Sequence, residues 1–367
     1  MAKPLQLVAL SIFTIVLTMN TSYAEVPIIT GSPTIDKPKL LEWPLDIDAT
    51  DPNLSEPTAN NINDLHARIS KCDDINVVLS TAGNYHMALR DLWYDHFLPN
   101  NTEIIRNWFY TTSPPISPEQ IQNLTLTFGN VRLECRPIIA VGPTGLMTTL
   151  TDLKLIEGDP IPVIKNHGNV ILVKKGNPKN IKTIWDLGRK NVKVVTSNPY
   201  TEKGSFSNYR DSIYNIALND PNKPANWTAE GLFNAIFNST EKFNKHSLGH
   251  SSKQGAINQV KWLSGQRIHH REVPWSIAYG QADAGLIFYH LALYMVRTFP
   301  DKFDIVPLGG TVENPEPVSG NKEATLFVAK IKGELNNDQY LSREELINAY
   351  TSAEFDLILA RHGLLRP

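Results

Sequence analysis

The sequence predicts an α/β protein of two lobes, each a mostly parallel sheet flanked by helices. Two observations lead there. With 367 residues, the chain is longer than one hydrophobic core usually carries, so two lobes are the default. From Asp74 onward, short apolar runs alternate with amphipathic segments, which is the pattern of βαβ units. The composition agrees, since 41% hydrophobic and 20% charged residues make an ordinary globular balance.

Taken in order, the first element is not part of the fold. Lys3 is followed by an apolar run, Leu5 to Leu17, then by Asn20-Thr21-Ser22 and Tyr23-Ala24. A basic start, a short apolar core and a small-residue cleavage site predict a signal peptide over residues 1–24, cut near Ala24. The run is too short to span a bilayer. Residues 25–60, rich in Pro, Asp, Asn and Thr, predict an irregular leader. Apolar runs then predict strands at 75–80, 124–128, 138–142, 169–174, 192–196, 284–288 and 303–307. Helical spacing predicts helices at 85–97, 101–109, 181–188, 205–217, 228–237, 251–263, 272–280, 289–298 and 343–362. No internal repeat or low-complexity tract interrupts this series.

Several function classes fall away at this stage. A formal charge of −2 lacks the basic excess of a nucleic-acid surface. No H-E-x-x-H, G-x-S-x-G or P-loop pattern is present, so the expectation is a binding protein and not an enzyme, with no cofactor and no metal. His246 and His250 have i,i+4 spacing, but Ser247 and Gly249 between them predict a flexible loop. Cys72 and Cys135 are compatible with one disulfide in an exported chain, with two buried thiols, or with a thiol for a soft ligand.

In parallel sheets, ligands bind where the carboxyl ends of strands lead into helix starts. Helix starts expose unpaired N–H groups and a partial positive charge, which favour anions. Four stretches have this character. Ser80-Thr81-Ala82-Gly83-Asn84 follows the first apolar run, although Ser, Thr and Asn also cap helices without any ligand. Gly142-Pro143-Thr144-Gly145 ends the run at 138–142. Ser197 to Ser205 contains Tyr200 and places Gly204-Ser205 at a helix start. His269-His270-Arg271 opens a fourth helix, and Tyr289-His290 closes the run at 284–288.

These motifs carry a resemblance. The order "NHGNVILVKKGNP…IKTIWDL…VKVVTSNPYTEKGS", then "GQADAGLIFYHLALY", then "LILARHGLL" resembles the periplasmic solute-binding proteins of the type II fold, over roughly residues 74–365. Within that group it is most similar to the molybdate-, tungstate- and sulfate-binding branch. The resemblance implies a hinge between the lobes, with 61–167 and 306–367 in lobe 1 and 168–305 in lobe 2. It implies a monomer in the periplasm that meets the membrane only through a partner. It also implies a small anionic ligand, delivered to the permease of an ABC transporter. The ligand contacts it implies are Ser80, Thr81, Gly83 and Asn84 on the first loop, and Gly142 and Thr144 on the second. Tyr200, Gly204 and Ser205 follow on the third, then His270, Arg271 and Tyr289.

The chain departs from the molybdate pattern at His269-His270-Arg271, where that branch uses mostly neutral donors. Arg271 would add a bidentate fork suited to an oxyanion. The competing reading has Arg271 paired with Asp283 or Glu272 and the histidines solvated. The "HHRE-x-P" and "STAGN" stretches also resemble a subgroup of periplasmic arsenite sensors that partner a membrane histidine kinase. That gives the alternative of an oxyanion sensor (arsenite or phosphite). A ligand cysteine is implicated in that subgroup, whereas Cys72 and Cys135 precede strands, away from the carboxyl-end cleft.

Overall fold

A computed structural model describes residues 63–66, 76–80, 83–101, 108–111, 117–124, 126–128, 131–133, 136–198, 202–237, 261–264 and 269–367. The signal peptide, the leader, both cysteines, Thr81, Tyr200 and residues 251–260 of the expected 251–263 helix lie outside these residues, and the end of that helix is contradicted, since Trp262–Ser264 is strand.

The first sheet is built from β1 (Asn63–His66), β2 (Asn76–Ser80), β3 (Trp108–Thr111), β6 (Ile139–Pro143), β7 (Ile156–Asn166), β13 (Thr325–Ile331) and β14 (Leu364–Leu365). Its order is β1-β3-β2-β6-β13-β7-β14. The second sheet holds β8 (Asn169–Lys174), β9 (Val194–Thr196), β10 (Trp262–Ser264), β11 (Ala284–Phe288) and β12 (Phe303–Val306), in the order β10-β9-β11-β8-β12. A small hairpin, β4 (Leu126–Phe128) with β5 (Val131–Leu133), follows the short helix α2 (Pro118–Gln122) and stands apart.

The strand directions follow from the connections. β6 and β7 are joined by helix α3 (Thr144–Asp152) and are mutually parallel, because each is antiparallel to β13 between them. β11 and β12 are joined by helix α7 (Tyr289–Thr298) and flank β8 in the same way. Helical crossovers make neighbours parallel. The strands running against them, β8 and β13, are those the chain enters on passing from one sheet to the other. In the second sheet β9, β10, β11 and β12 run one way and β8 alone runs opposite, so that sheet is mostly parallel. The first is mixed, with β1, β13 and β14 against β2, β3, β6 and β7.

Side-chain alternation explains the second core. Ile171 and Val173 of β8 face helices α4 (Lys203–Asn219) and α5 (Ala229–Phe237), with Phe206, Ile213, Leu232 and Phe233. Val170 and Leu172 face α6 (His269–Ala278) and α7, with Val273, Ile277 and Leu291. A strand buried on both faces reads as a continuous apolar run, which is why "NVILVK" was legible. The first sheet packs Leu89, Trp93, Val141, Ile164, Val328, Tyr350 and Phe355 into its own core. Met87, from α1 (His86–Asp91) beside the first sheet, packs instead with the core of the second.

Two segments cross between the sheets, and asparagines tie them together. The amide of Asn169 donates to Asn321 Oδ1 at 2.8 Å, and Asn321 Nδ2 donates to Asn169 O at 2.8 Å. Asn166 Oδ1 accepts from the amides of Gly168 and Ala324, each at 3.0 Å. Asn166 Nδ2 donates to Tyr85 Oη at 2.9 Å. Asn169 Nδ2 reaches Ser212 Oγ at 2.9 Å. Gly168 has φ +69°, and a Cβ there would meet Asn321 Oδ1 at 2.9 Å. This zipped pair of crossings joins the two sheets.

Some expected elements differ. The helix expected over 101–109 is contradicted at its end, where Trp108–Thr111 is strand; three aromatics and a threonine in succession suit a pleated surface. The segment at 181–188 is a short 3₁₀ helix, Ile184–Gly188. The helix expected over 343–362 is two, α8 (Asn337–Thr351) and α9 (Ala353–Arg361), divided at Ser352. β7, β13 and α3 were not expected from the sequence.

Candidate ligand-binding site

The first wall forms where β2 ends. β2 and β6 are parallel neighbours with Ser80 opposite Val141, so the turns that follow Ser80 and Gly142 share one sheet edge. Beyond β2, Gly83–Tyr85 makes a 3₁₀ turn into α1. Gly83 and Asn84 are half-buried, and Tyr85 and His86 are buried. The His86 ring holds the turn, with Nδ1 3.1 Å from Gly83 O.

The second wall is the start of α3. Thr144 and Gly145 are exposed there, and Gly142 is buried. α3 is rich in threonine, and Thr148, Thr149 and Thr151 each donate to the carbonyl four residues back, at 3.0, 3.0 and 2.8 Å. Such back-bonding competes with helix formation, so the helix was hidden in the sequence.

The remaining walls belong to the second sheet. α4 begins just after Glu202, with Gly204 exposed and Ser205 half-buried. The Glu202 carboxylate accepts a hydrogen bond from the backbone of His269, at the start of α6. His269 and His270 are buried, whereas Arg271 beside them is exposed. The expectation of solvated histidines therefore fails. Of the two acids considered for Arg271, Glu272 is buried and accepts from Ser276 at 3.1 Å, and Asp283 accepts from the Lys193 amide at 2.8 Å. Tyr289 opens α7, and its hydroxyl donates to Val312 O at 2.7 Å.

The walls meet through rings. His290 Nε2 lies 2.9 Å from Asn84 O, and the His290 ring stacks on Tyr85 at 4.7 Å. His86 and His270 stand with centroids 6.3 Å apart. His269 stacks on Tyr209 at 3.9 Å, and its Nε2 lies 2.8 Å from Leu286 O. Phe288 links Tyr209 to His290, at 5.5 and 5.7 Å. The first, third and fourth candidate stretches thus come together around one buried cluster, and the Gly142–Thr144 turn sits next to the first along the sheet edge.

Burial fixes the charge state. It pulls His86 down to about 4 and His269 and His290 down to about 3, and holds His270 well below its ordinary value. It also raises Tyr85, Tyr209 and Glu202. At neutral pH the four imidazoles are uncharged. Both ring nitrogens of His270, Nδ1 of His269 and of His290, and Oε2 of Glu202 are buried without a hydrogen-bond partner. Among the described residues, no group of three or more His, Cys, Asp or Glu side chains is placed to hold a metal ion.

The glycines at the helix starts are informative. A Cβ at Gly145 or Gly204 would meet nothing within 4 Å, so packing requires neither. Their absent side chains leave the backbone N–H groups approachable. Sequence reasoning missed Tyr85, His86 and Tyr209 and gave His290 no contact of its own, because the burial of a polar ring leaves no mark in local pattern. Two surface cavities, of about 480 and 460 Å³, lie elsewhere. One is beside Trp185 and Asp220, the other beside Lys175 and Glu313.

A family profile described as bacterial extracellular solute-binding protein matches residues 138–322. No curated protein sequence matches the chain. Among solved structures, the PBP AgtB from A. tumefaciens R10 in complex with agropinic acid is similar at 9% identity and TM-score 0.50, over 80% of this chain and 83% of that one. The sulfate-binding protein SubI from Mycobacterium tuberculosis H37Rv is similar at 14% identity and TM-score 0.48, over 79% and 85%. The Azotobacter vinelandii periplasmic molybdate-binding protein is similar at 13% identity and TM-score 0.44, over 80% and 100%.

Proposed function

Because the chain belongs to the bacterial extracellular solute-binding proteins, we propose that it captures a small oxyanion between its two lobes in the periplasm and delivers it to an ABC transporter permease. The observation that carries this is the meeting of helix starts from both sheets, α1 from one and α4, α6 and α7 from the other, around a shared cluster. Such starts favour negative charge, and Gly204 leaves the backbone open at the start of α4.

In this reading 61–167 and 306–367 form one lobe and 168–305 the other. Ser80, Thr81, Thr144 and Ser205 supply hydroxyls, and Gly83, Gly142 and Gly204 supply backbone N–H groups. Asn84, Tyr200, His270 and Tyr289 frame the ligand, and Arg271 brings the positive charge. Closure about the asparagine-zipped crossings makes contacts absent in the open state, and those contacts shift the population. A molybdate- or tungstate-like ligand is the starting candidate, from the sequence resemblance.

The test is calorimetry and thermal shift on the mature chain with a panel of oxyanions, sugars and amino acids. A ligand at 100 times its Kd stabilises by about 2.7 kcal/mol. Stabilisation by a sugar or amino acid, with none by any oxyanion, would sink the assignment. Arg271→Ala is expected to weaken anion binding by about 1 kcal/mol, the upper value for an exposed charge.

A further inference from the structure

We propose that the ligand is a hydroxyl-bearing oxyacid, one that brings an O–H donor as well as acceptor oxygens, and that His270 reads that proton. The inference rests on the cleft being the solute site and narrows what the site takes.

A neutral imidazole has one N–H donor and one lone-pair acceptor. A backbone carbonyl only accepts, so a ring nitrogen bonded to one must carry the proton. His290 Nε2 faces Asn84 O, and His269 Nε2 faces Leu286 O. In both rings Nδ1 is therefore the acceptor, and in both it is buried with no partner. His86 is held the other way, with Nδ1 on Gly83 O, which leaves Nε2 as its acceptor. Glu202 Oε2 is another buried acceptor without a donor. His270, 5% exposed, has neither its donor nor its acceptor satisfied. Burying such groups unpaired is costly, so a partner is expected.

The unmet chemistry is thus weighted to acceptors, while the surrounding helix starts offer donors. A fully ionised oxyanion carries acceptors only. It would suit the N–H groups and the His270 donor, but would set its oxygens against the imidazole lone pairs. A partly protonated oxyacid meets both sets: its bare oxygens take the N–H groups, and its hydroxyl donates to a ring nitrogen. His270 supplies one donor and one acceptor, on the two nitrogens of a single ring. His86, its neighbour at 6.3 Å between centroids, adds a second acceptor.

The experiment compares affinities at neutral pH within two sets of similar size. Hydrogen phosphate, hydrogen arsenate and hydrogen selenite carry a hydroxyl, whereas sulfate, molybdate and tungstate do not. The first set is expected to bind at least tenfold more tightly. Equal or tighter binding of the second set overturns the proposal but leaves an oxyanion site intact. Binding of no oxyanion overturns the reading beneath it. His270→Phe keeps a ring and removes both nitrogens, so it is expected to weaken the hydroxyl-bearing set, which loses a donor and an acceptor, tenfold or more, and the other set, which loses a donor alone, clearly less. His270→Gln restores a donor and an acceptor and is expected to recover the preference. Equal loss for both sets in His270→Phe would make His270 a packing residue and overturn its role.

Discussion

His86, His269 and His290 show what a single residue contributes here. Each is uncharged in the fold because burial removes the water that would solvate its cation. In the unfolded chain each titrates near 6.5. Between about pH 6.5 and 4 the unfolded state binds protons that the folded state refuses, so stability falls as pH falls. Glu202, raised by burial, acts in the opposite sense as one group against three. Urea unfolding at pH 7 and pH 4.5 is expected to show a loss of several kcal/mol, at about 1.4 kcal/mol per pH unit for each group. A flat profile would mean the rings are hydrated. The strand that ends at Ser80 and the helix that follows were legible in sequence because an apolar run gives way to glycine and a carboxamide before helical spacing begins. The histidines were not, since adjacent polar residues ordinarily face solvent.

Elements were legible where one local signal dominated. β8, β11 and α7 match their expected spans, because long apolar runs and helical spacing leave little choice. β7 was hidden by Gly158, Pro160 and Pro162, which ordinarily mark turns. The sheet tolerates them through register shifts against β13. The division of α8 from α9 turns on Ser352, whose Oγ accepts from the Phe355 amide at 3.2 Å and donates to Ala349 O at 2.9 Å. Ser352→Ala removes that cap and is expected to cost about 1 kcal/mol in urea unfolding. No change would place the division elsewhere, for instance in the bonds from Arg366 to Tyr350 O and Ser352 O.

For the molecule as a whole, the alternation of strands and helices gave the two-lobe α/β class, and the pairing of distant segments lay beyond it. Nothing local in Asn166, Asn169 or Asn321 says that they bond to one another across the crossings. The return crossing also depends on Gly320, at φ +88°, where a Cβ would fall 2.4 Å from the carbonyl of Asn215. Gly320→Ala is expected to lower stability by about 2 kcal/mol, from left-handed backbone strain, with the added clash worsening it. An unchanged melting temperature would show that this crossing is free to shift.

The central place of β13 has one more consequence, for the order of assembly. The second sheet draws all its strands from one unbroken stretch, residues 169–306, so it can close as soon as that stretch is available. The first sheet cannot, because β13 lies between β6 and β7 and is among the last strands in the chain. A polypeptide emerging amino-end first would complete its later-encoded lobe before its earlier one. Until Thr325–Ile331 arrives, the facing edges of β6 and β7 keep their N–H and C=O groups unpaired, open to any other strand that reaches them first.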